Sequence, residues 1–324
     1  MNKAKSLQAP SSKKISLTGF VIGIDIGGTN IKVGLINKDK IIHKFVLKTS
    51  LYPKKSDLIK AVFSSIDKVL RNNCLEKKDI LGIGIGLPGA IDYKRGIVHY
   101  LPNIPGWKDV PLARLIRNHL GISTYIDNDV NLMALAELYY GQGRGKKNLV
   151  CITLGTGVGG GLIIEGNIYR GTSFSAGEIG HMPIELKGAF CNCGSHGCLE
   201  SLIGNSRILG RAKKVFGKYI TLEELSNLAI KGNQRAVKIW QDTGFILGTV
   251  LAGVVNLLNP ELIIIGGGVS ESGKILFNQV RETIKERAMP LPGSIIQVRK
   301  AVVREPGIMG AAVLVRNSLK LKYS

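Results

Sequence analysis

Short hydrophobic runs separated by turns open this chain. Apolar residues over 20–25 predict a buried strand, a glycine turn follows at 25–30, and two further strands are predicted over 31–36 and 41–48. Successive strands with no helical pattern between them indicate a β-meander rather than strand–helix alternation. The start of the chain therefore predicts three neighbouring strands with a glycine turn after the first.

The same pattern returns near the middle of the chain. Residues 150–157 repeat the strand and glycine turn of residues 22–29, and Asp25 aligns with Thr153. A second strand follows the turn in both copies. An internal duplication of this kind predicts two related lobes.

Elsewhere the apolar positions mostly follow the helical spacing of three and four residues. Helices are predicted over 57–73, 112–120, 131–140, 222–230, 235–258 and 307–318, and further strands over 80–87, 124–127 and 261–265. Another helix is expected after the glycines at 266–268. The final helix is expected to pack back on the first lobe.

The pattern divides the chain into a tail and two lobes. Residues 1–18 are polar and lysine-rich and are predicted to form a disordered basic tail. We expect a small N-terminal lobe over 19–130, joined by a C-terminal helix over 307–320. Residues 131–306 would form a large C-terminal lobe with a metal-binding loop.

Charge and composition limit the classes of partner. The formal net charge of +21 favours anionic partners such as nucleotides, nucleic acid or a membrane surface. The lysines are scattered and no aromatic residues interleave with them, so we expect no nucleic-acid partner. No secretory signal is visible, and the most apolar stretch, 250–269, is interrupted by Asn256, Pro260 and Glu261. We therefore expect a cytoplasmic protein with no membrane-spanning segment.

Three glycine loops, at 27–29, 155–161 and 266–268, could hold phosphate, because glycine lets backbone amides converge on an anion. The second loop also matches the dinucleotide pattern G-x-G-x-x-G at 155–160. That motif requires a helix directly after the glycines, whereas 162–168 predicts a strand and a turn. No Walker motif is present in the sequence. The pattern indicates nucleotide phosphates but disfavours a dehydrogenase.

An acidic cluster lies between a predicted strand and a predicted helix. It contains Asp127, Asn128, Asp129 and Asn131. Such residues often cap helix N-termini. A fixed carboxylate can also accept the proton of a hydroxyl that attacks a γ-phosphate. The motif by itself supports both interpretations equally, and its place between two phosphate loops favours the base.

A candidate metal cluster follows in the second lobe. His181, Cys191, Cys193 and Cys198 have the spacing H-x9-C-x-C-x4-C. Three thiols and one imidazole form a closed tetrahedral set, which is typical of structural zinc. A thiol loop without metal is the alternative, and His196 is a less favoured substitute ligand. Cysteines in a cytoplasmic chain are thiols or metal ligands rather than disulfides.

Two further cysteines, Cys74 and Cys151, have apolar sequence neighbours. We expect both in the hydrophobic core.

Together these motifs resemble the ROK family of sugar kinases and repressors over about residues 20–315. The matching segments are DIGGTN at 25–30, LPNIPGW at 101–107, NDVN at 128–131, LGTGVGGG at 154–161, AGEIGH at 176–181 and CNCGSHGCLE at 191–200. The resemblance implies an α/β protein with the actin-like ATPase fold, which has two ribonuclease-H-like lobes and a central cleft. It also implies a homodimer.

The resemblance assigns a role to each motif. Asp129 would be the base that activates the sugar 6-hydroxyl, and a structural Zn²⁺ would orient the loop of His181 and Glu200. The substrate-binding residues would be Gly89, Asn103, Asn128, Asp129, Glu178, His181 and Glu200. The residues binding Mg²⁺ and ATP would be Asp25, Gly27, Gly28, Thr29, Asn30, Lys32, Gly155, Thr156, Gly157, Gly159, Gly160, Gly266, Gly267 and Gly268.

Glu178 and the short gap before the first cysteine resemble the glucokinase branch. Phosphorylation of glucose is thus the leading hypothesis, with mannose, fructose or N-acetylmannosamine as alternative substrates. ADP or polyphosphate could replace ATP as donor. A sugar-responsive transcriptional regulator of the family is a further alternative. The 24 residues before Asp25 are expected to be too few and too polar for a helix-turn-helix domain.

Overall fold

The computed structural model describes residues 19–101 and 106–321. The strands are β1 Phe20–Ile26, β2 Asn30–Asn37, β3 Lys40–Lys48, β4 Ile80–Leu87, β5 Ala90–Asp92, β6 Ile97–Tyr100, β7 Lys108–Val110, β8 Thr124–Asn128, β9 Leu149–Leu154, β10 Val158–Ile164, β11 Asn167–Tyr169, β12 Leu262–Gly266 and β13 Gln297–Lys300. The helices are α1 Lys55–Asn72, α2 Leu112–Leu120, α3 Asp129–Tyr140, α4 Glu200–Ile203, α5 Asn205–Phe216, α6 Leu222–Ile230, α7 Gln234–Leu258, α8 Lys274–Arg287, α9 Pro290–Ile295 and α10 Pro306–Ser318.

Two five-stranded sheets share one topology. Their strand orders are β3-β2-β1-β4-β8 and β11-β10-β9-β12-β13. The central strand of each sheet, β1 or β9, is antiparallel to the strand that follows it in the chain, β2 or β10. On its other side it is parallel to β4 or β12. Asp25 pairs with Gly86 and Thr153 pairs with Gly266, so the two positions are equivalent in register. The duplication predicted from the sequence is confirmed, and the architecture is that of the actin-like ATPase fold.

Glycines in the first sheet let the last helix lie directly on it. A Cβ atom at Gly84 in β4 would lie 2.3 Å from the carbonyl oxygen of Ala311 in α10, and one at Gly23 in β1 would lie 2.6 Å from that of Ile308. Contacts this short exclude any side chain larger than hydrogen. The expected packing of the final helix on the first sheet is therefore built into β1 and β4.

Helices α3 and α10 cross each other at close range. A Cβ atom at Gly310 of α10 would lie 1.9 Å from the carbonyl oxygen of Leu132 in α3. Helix α3 also packs on β10 and β9 of the second sheet. The predicted lobe boundary after residue 130 falls inside this helix, and the division into lobes at that residue stays a prediction.

A buried carboxylate fixes the far end of this crossing. Glu137, in the last turn of α3, is fully buried. Its oxygens accept hydrogen bonds from the backbone amides of Gln142 at 2.9 Å and of Val302 and Val303 at 2.8 Å each. Since three backbone donors satisfy the charge, Glu137 ties α3 to the segment that enters α10.

Helix α7 lies at the centre of the hydrophobic core that packs on the second sheet. Trp240, Leu247 and Leu251 are fully buried in it, and α8 packs along it. By length and composition α7 could cross a membrane, which corrects the expectation that no segment is long and apolar enough. The apolar part of α7 starts before residue 250, so the interruptions within 250–269 do not break it. Half of the apolar stretch of α7 that is long enough to span a membrane is buried inside the protein, as in a core helix.

Several elements were absent from the sequence prediction. They are β11, β13, helices α4, α5 and α9, and the three-stranded sheet β5-β6-β7. Strands of three or four residues are too short for periodicity to identify. Cys151 is buried as expected, whereas Cys74 is exposed at positive φ in the turn after α1, so its expected place in the core was wrong.

Candidate active site and metal centre

At the junction of β8 and α3, different residues of the acidic cluster serve as the helix cap and as the candidate base. Asn128 is the N-cap of α3, because its Oδ1 accepts a hydrogen bond from the amide of Val130 at 2.9 Å. Asp127 is buried, and its Oδ1 accepts from the amide of Asn128 at 2.8 Å and from Nδ2 of Asn131 at 2.9 Å. Asp129, the first residue of α3, is therefore not needed as the cap.

The carboxyl group of Asp129 titrates near neutrality. Burial raises its pKa from 3.8 to about 7, and the negative charges of Asp25 and Glu178 add to the rise. The amide of Val130 donates to Oδ1 at 2.9 Å and opposes it. A carboxylate with this pKa can accept a proton at physiological pH, which fits a general base.

Asp25 lies at the end of β1, near Asp129 and against the start of α10. Burial raises its pKa, Lys32 lowers it and Glu305 raises it further. A Cβ atom at Gly307 would lie 2.4 Å from Cγ of Asp25, so the glycine admits this carboxylate. Lys32, predicted to bind nucleotide, forms an ion pair with Glu305 at 2.9 Å.

The predicted sugar ligands lie around the same helix end. Nδ2 of Asn128 is 3.4 Å from the carbonyl oxygen of Gly89. Oε2 of Glu178 is 3.9 Å from Nε2 of His181. Oε2 of Glu200 accepts from the amide of Val158 at 2.9 Å, which attaches this carboxylate to the second glycine hairpin. Asn103 lies outside the described residues.

Two predicted phosphate loops are the turns of equivalent hairpins. The amide of Gly27 donates to the carbonyl of Asn30, and that of Gly155 donates to the carbonyl of Gly157, at 2.9 Å in both turns. The exposed predicted contacts include Gly28, Thr29, Thr156, Gly267 and Gly268. Strand β10 begins directly after the second turn, which excludes the helix that dinucleotide binding requires.

The four predicted metal ligands come together. One donor atom from each of His181, Cys191, Cys193 and Cys198 lies within 4.8 Å of all the others. Nδ1 of His181 is 3.6 Å from Sγ of Cys191, and the sulfurs of Cys193 and Cys198 are 3.7 Å apart. Bond lengths of about 2.3 Å to sulfur and 2.0 Å to nitrogen give tetrahedral edges of roughly 3.8 Å between two sulfurs and 3.5 Å between sulfur and nitrogen. The cluster therefore fits a zinc ion.

Comparison with known proteins identifies the family. The model of the ROK family matches residues 21–318. This chain belongs to the ROK family. Glucokinase of Thermotoga maritima is 34% identical to it over 92% of this chain and 98% of the relative. The DNA-binding transcriptional repressor Mlc of Escherichia coli is 31% identical over 81% of this chain and 67% of the repressor.

A solved structure supports the same relationship. The ROK family glucokinase from Streptomyces griseus, in complex with glucose and AMPPNP, superimposes with a TM-score of 0.79 and 30% identity. The match covers 92% of this chain and all of that one. Both the fold and the family predicted from the motifs of this ROK protein are thus confirmed, while the roles of individual residues stay predictions.

One charged contact beside this site was not predicted from the sequence. Arg170, just after β11, donates two hydrogen bonds to Oδ2 of Asp127. No motif included Arg170, and the two partners are 43 residues apart in the chain. The available signal was Asp127, an acidic residue at the end of a predicted strand and next to the candidate base. A charge that is buried at such a place requires a partner of opposite charge.

We expect one zinc ion per chain in the freshly purified ROK protein. Cys193→Ser would remove a thiolate ligand, so metal content should fall below one tenth and Tm should fall by roughly 5 °C or more. Elemental analysis and thermal melts measure both quantities. Cys74→Ser, which changes an exposed thiol outside the cluster, is the matched control and should leave both unchanged. Metal-free wild-type protein with an unchanged Tm in chelator would contradict the assignment.

Proposed function

We propose that this ROK protein transfers the γ-phosphoryl group of ATP to the 6-hydroxyl of a hexose, with glucose as the preferred substrate. The observation that carries the proposal is Asp129, a carboxylate with a pKa near 7 at the start of α3. Predicted sugar ligands and phosphate loops lie on either side of it. We place the reaction in the cytoplasm, where ATP is available.

The reaction requires one proton transfer and one displacement. Asp129 accepts the proton of the sugar hydroxyl as its oxygen attacks the γ-phosphorus. The bond from that phosphorus to the β–γ bridging oxygen breaks, and ADP leaves. The hairpin glycines offer backbone amides to the phosphate oxygens. Closure of the lobes would exclude water as a competing acceptor.

Asp25 is the candidate carboxylate for Mg²⁺. Burial raises its pKa, and the ammonium of Lys32 is shared with Glu305, so a cation beside Asp25 would supply the missing positive charge. Mg²⁺ prefers one or two carboxylates together with substrate phosphates, which fits this residue. When bound, the ion would neutralise charge on the phosphates.

Sugar recognition depends on the orientation of His181. Nδ1 of this ring faces Cys191, and Nε2 faces Glu178. Ligation through Nδ1 would leave the proton on Nε2, where it can donate to a sugar hydroxyl while Glu178 accepts from one. The glucokinases among the relatives support glucose as the substrate.

A regulatory function is the second candidate, because the repressor Mlc is also among the relatives. A sugar-responsive regulator would bind sugar without phosphorylating it. Sequence-dependent DNA binding in a gel shift, together with no turnover, would favour this function over the kinase.

The substrate assignment is tested by ADP release in a coupled assay. Wild-type protein with ATP and Mg²⁺ should give the highest kcat/KM with glucose among glucose, mannose, fructose and N-acetylmannosamine. Parallel reactions with polyphosphate or ADP identify the donor. A higher value with another hexose would refute glucose as the substrate, whereas no turnover with any of them would refute the kinase.

Asp129→Asn should lower kcat by about 10²–10⁴-fold, because the amide cannot accept the proton. Sugar affinity measured by calorimetry should stay within roughly threefold, since the amide retains hydrogen-bonding capacity. Asp242→Asn, which changes a half-buried carboxylate of α7 that pairs with Lys238, is the matched control. Near-normal turnover of Asp129→Asn would remove this residue from the role of base.

The rate should rise with pH through the pKa of Asp129. Its protonated form is inactive as a base, so kcat/KM for the sugar should fall about tenfold per unit below pH 7 and level off above it. Because burial raises the pKa of the folded form above 3.8, the carboxyl group's stabilising contribution is present at low pH and is lost as pH rises through about 7. Asp129→Asn should therefore be more stable than wild type above pH 7. A rate that does not change between about pH 5.5 and 8 would contradict the assignment of Asp129 as the base.

A further inference from the structure

Arg170 and Asp127 form a nearly dry ion pair. Nε and Nη2 of the arginine are 2.9 and 2.5 Å from Oδ2 of the aspartate. The side chains are 16% and 2% exposed. Two charges so well removed from water persist only when their geometry is good, and the loss of either partner leaves the other uncompensated.

The aspartate of this pair belongs to the segment that carries the base. Asp127 directly precedes Asn128 and Asp129, and its other oxygen accepts from the amide of Asn128 and from Asn131. One carboxylate therefore joins the end of β8, the first turn of α3 and the guanidinium of Arg170. Movement of Arg170 would be transmitted to the N-cap of the helix that positions Asp129.

The arginine of this pair begins the segment that carries Glu178. The amide of Ala176 donates to the carbonyl of Arg170 at 3.0 Å, which closes a loop over 170–176. A Cβ atom at Gly177 would lie 2.7 Å from the carbonyl oxygen of Gly160, so the loop also lies tightly on β10. The position of Glu178 thus depends on where Arg170 is held.

A third segment stacks on the same guanidinium. Its carbon lies 3.9 Å from the ring centroid of Tyr93, close enough for a cation–π contact. Tyr93 follows β5, which begins directly after Gly89, and the carbonyl of Gly89 faces Asn128. The rings of Phe174 and Tyr93 are nearly perpendicular, with their centroids 5.2 Å apart.

We propose that Arg170 is a positioning residue that sets hexose affinity by holding the segments of Gly89, Asn128–Asp129 and Glu178 in register. Arg170 acts through Asp127 and Tyr93 and need not touch the sugar. The inference rests on the proposed function, since it concerns the hexose site of the kinase. Lysine cannot replace the arginine here, because a single ammonium cannot pair through two nitrogens and stack its plane on tyrosine.

A cavity beside the pair gives the hypothesis a specific test. It has a volume of about 340 Å³, opens at the surface and is lined by residues including Tyr93, Lys94, Tyr169, Arg170 and Phe174. A small guanidinium compound can therefore reach the space that Arg170→Ala would vacate. Such a compound would restore the charge and the planar donors without restoring the covalent link.

Arg170→Lys should raise the hexose KM and calorimetric Kd about tenfold or more, with a smaller fall in kcat from the displaced start of α3. The KM for ATP should stay unchanged. Arg281→Lys, which changes an arginine that joins α8 to β13 through the carbonyl of Val298, is the matched control and should leave the hexose KM at the wild-type value. In Arg170→Ala, ethylguanidinium at millimolar concentration should restore hexose affinity at least partly, whereas ethylammonium should not.

A hexose KM of Arg170→Lys equal to that of wild type would overturn the inference. So would a lower Tm with unchanged hexose KM and Kd, because the pair would then be only structural. If Arg170→Ala does not fold, Tyr93→Leu provides a second variant, because it keeps the ion pair and removes the stacking. A hexose KM that is unchanged in both Tyr93→Leu and Arg170→Lys would overturn the inference. Absence of hexose turnover by wild type would refute the proposed function instead.

Discussion

The close crossing of α3 and α10 between the two sheets determines where every candidate catalytic group lies. Gly310 brings the backbone of α10 against the carbonyl of Leu132, which leaves no space for a side chain at the contact. Helix α3 carries Asp129 at its first residue, and α10 carries Gly307 against Asp25. The two carboxylates therefore approach each other because two helices do, and Glu137 secures the opposite end of α3 through three backbone amides.

The fold collects negative charge at this crossing although the chain as a whole is strongly basic. Burial raises the pKa of Asp25 and of Asp129, and partial burial raises that of Glu178, whose side chain is 47% exposed. Lys32 lowers the pKa of Asp25 only in part, since Lys32 and Lys44 both pair with Glu305. Concentrated, poorly compensated charge lowers stability and is typical of a site that completes its electrostatics with a ligand. A magnesium nucleotide and a polarised hydroxyl would supply what this site lacks.

Sequence reasoning succeeded where the chemistry is local. The glycine hairpins and the ligand set from His181 to Cys198 have short fixed spacings, and the duplicated hairpin predicted the repeated sheet. It failed where the decisive contact joins distant segments: Arg170 is 43 residues from Asp127, and Glu137 is 166 residues from Val303. Periodicity and motifs carry no information about such pairs, because only the folded backbone brings them together.

In the proposed site, sugar recognition would depend on polar and charged groups rather than on the hydrophobic cores. The candidate metal cluster contains His181 and lies next to Glu200, and the Arg170–Asp127 pair would hold Glu178 and the start of α3 in place. Neither the candidate metal cluster nor the Arg170–Asp127 pair belongs to the apolar clusters that stabilise the two sheets. Loops that bear function can change on a constant scaffold. The substrate of a protein of this kind can therefore shift through the geometry of a few charged groups while the sheets and the base remain in place.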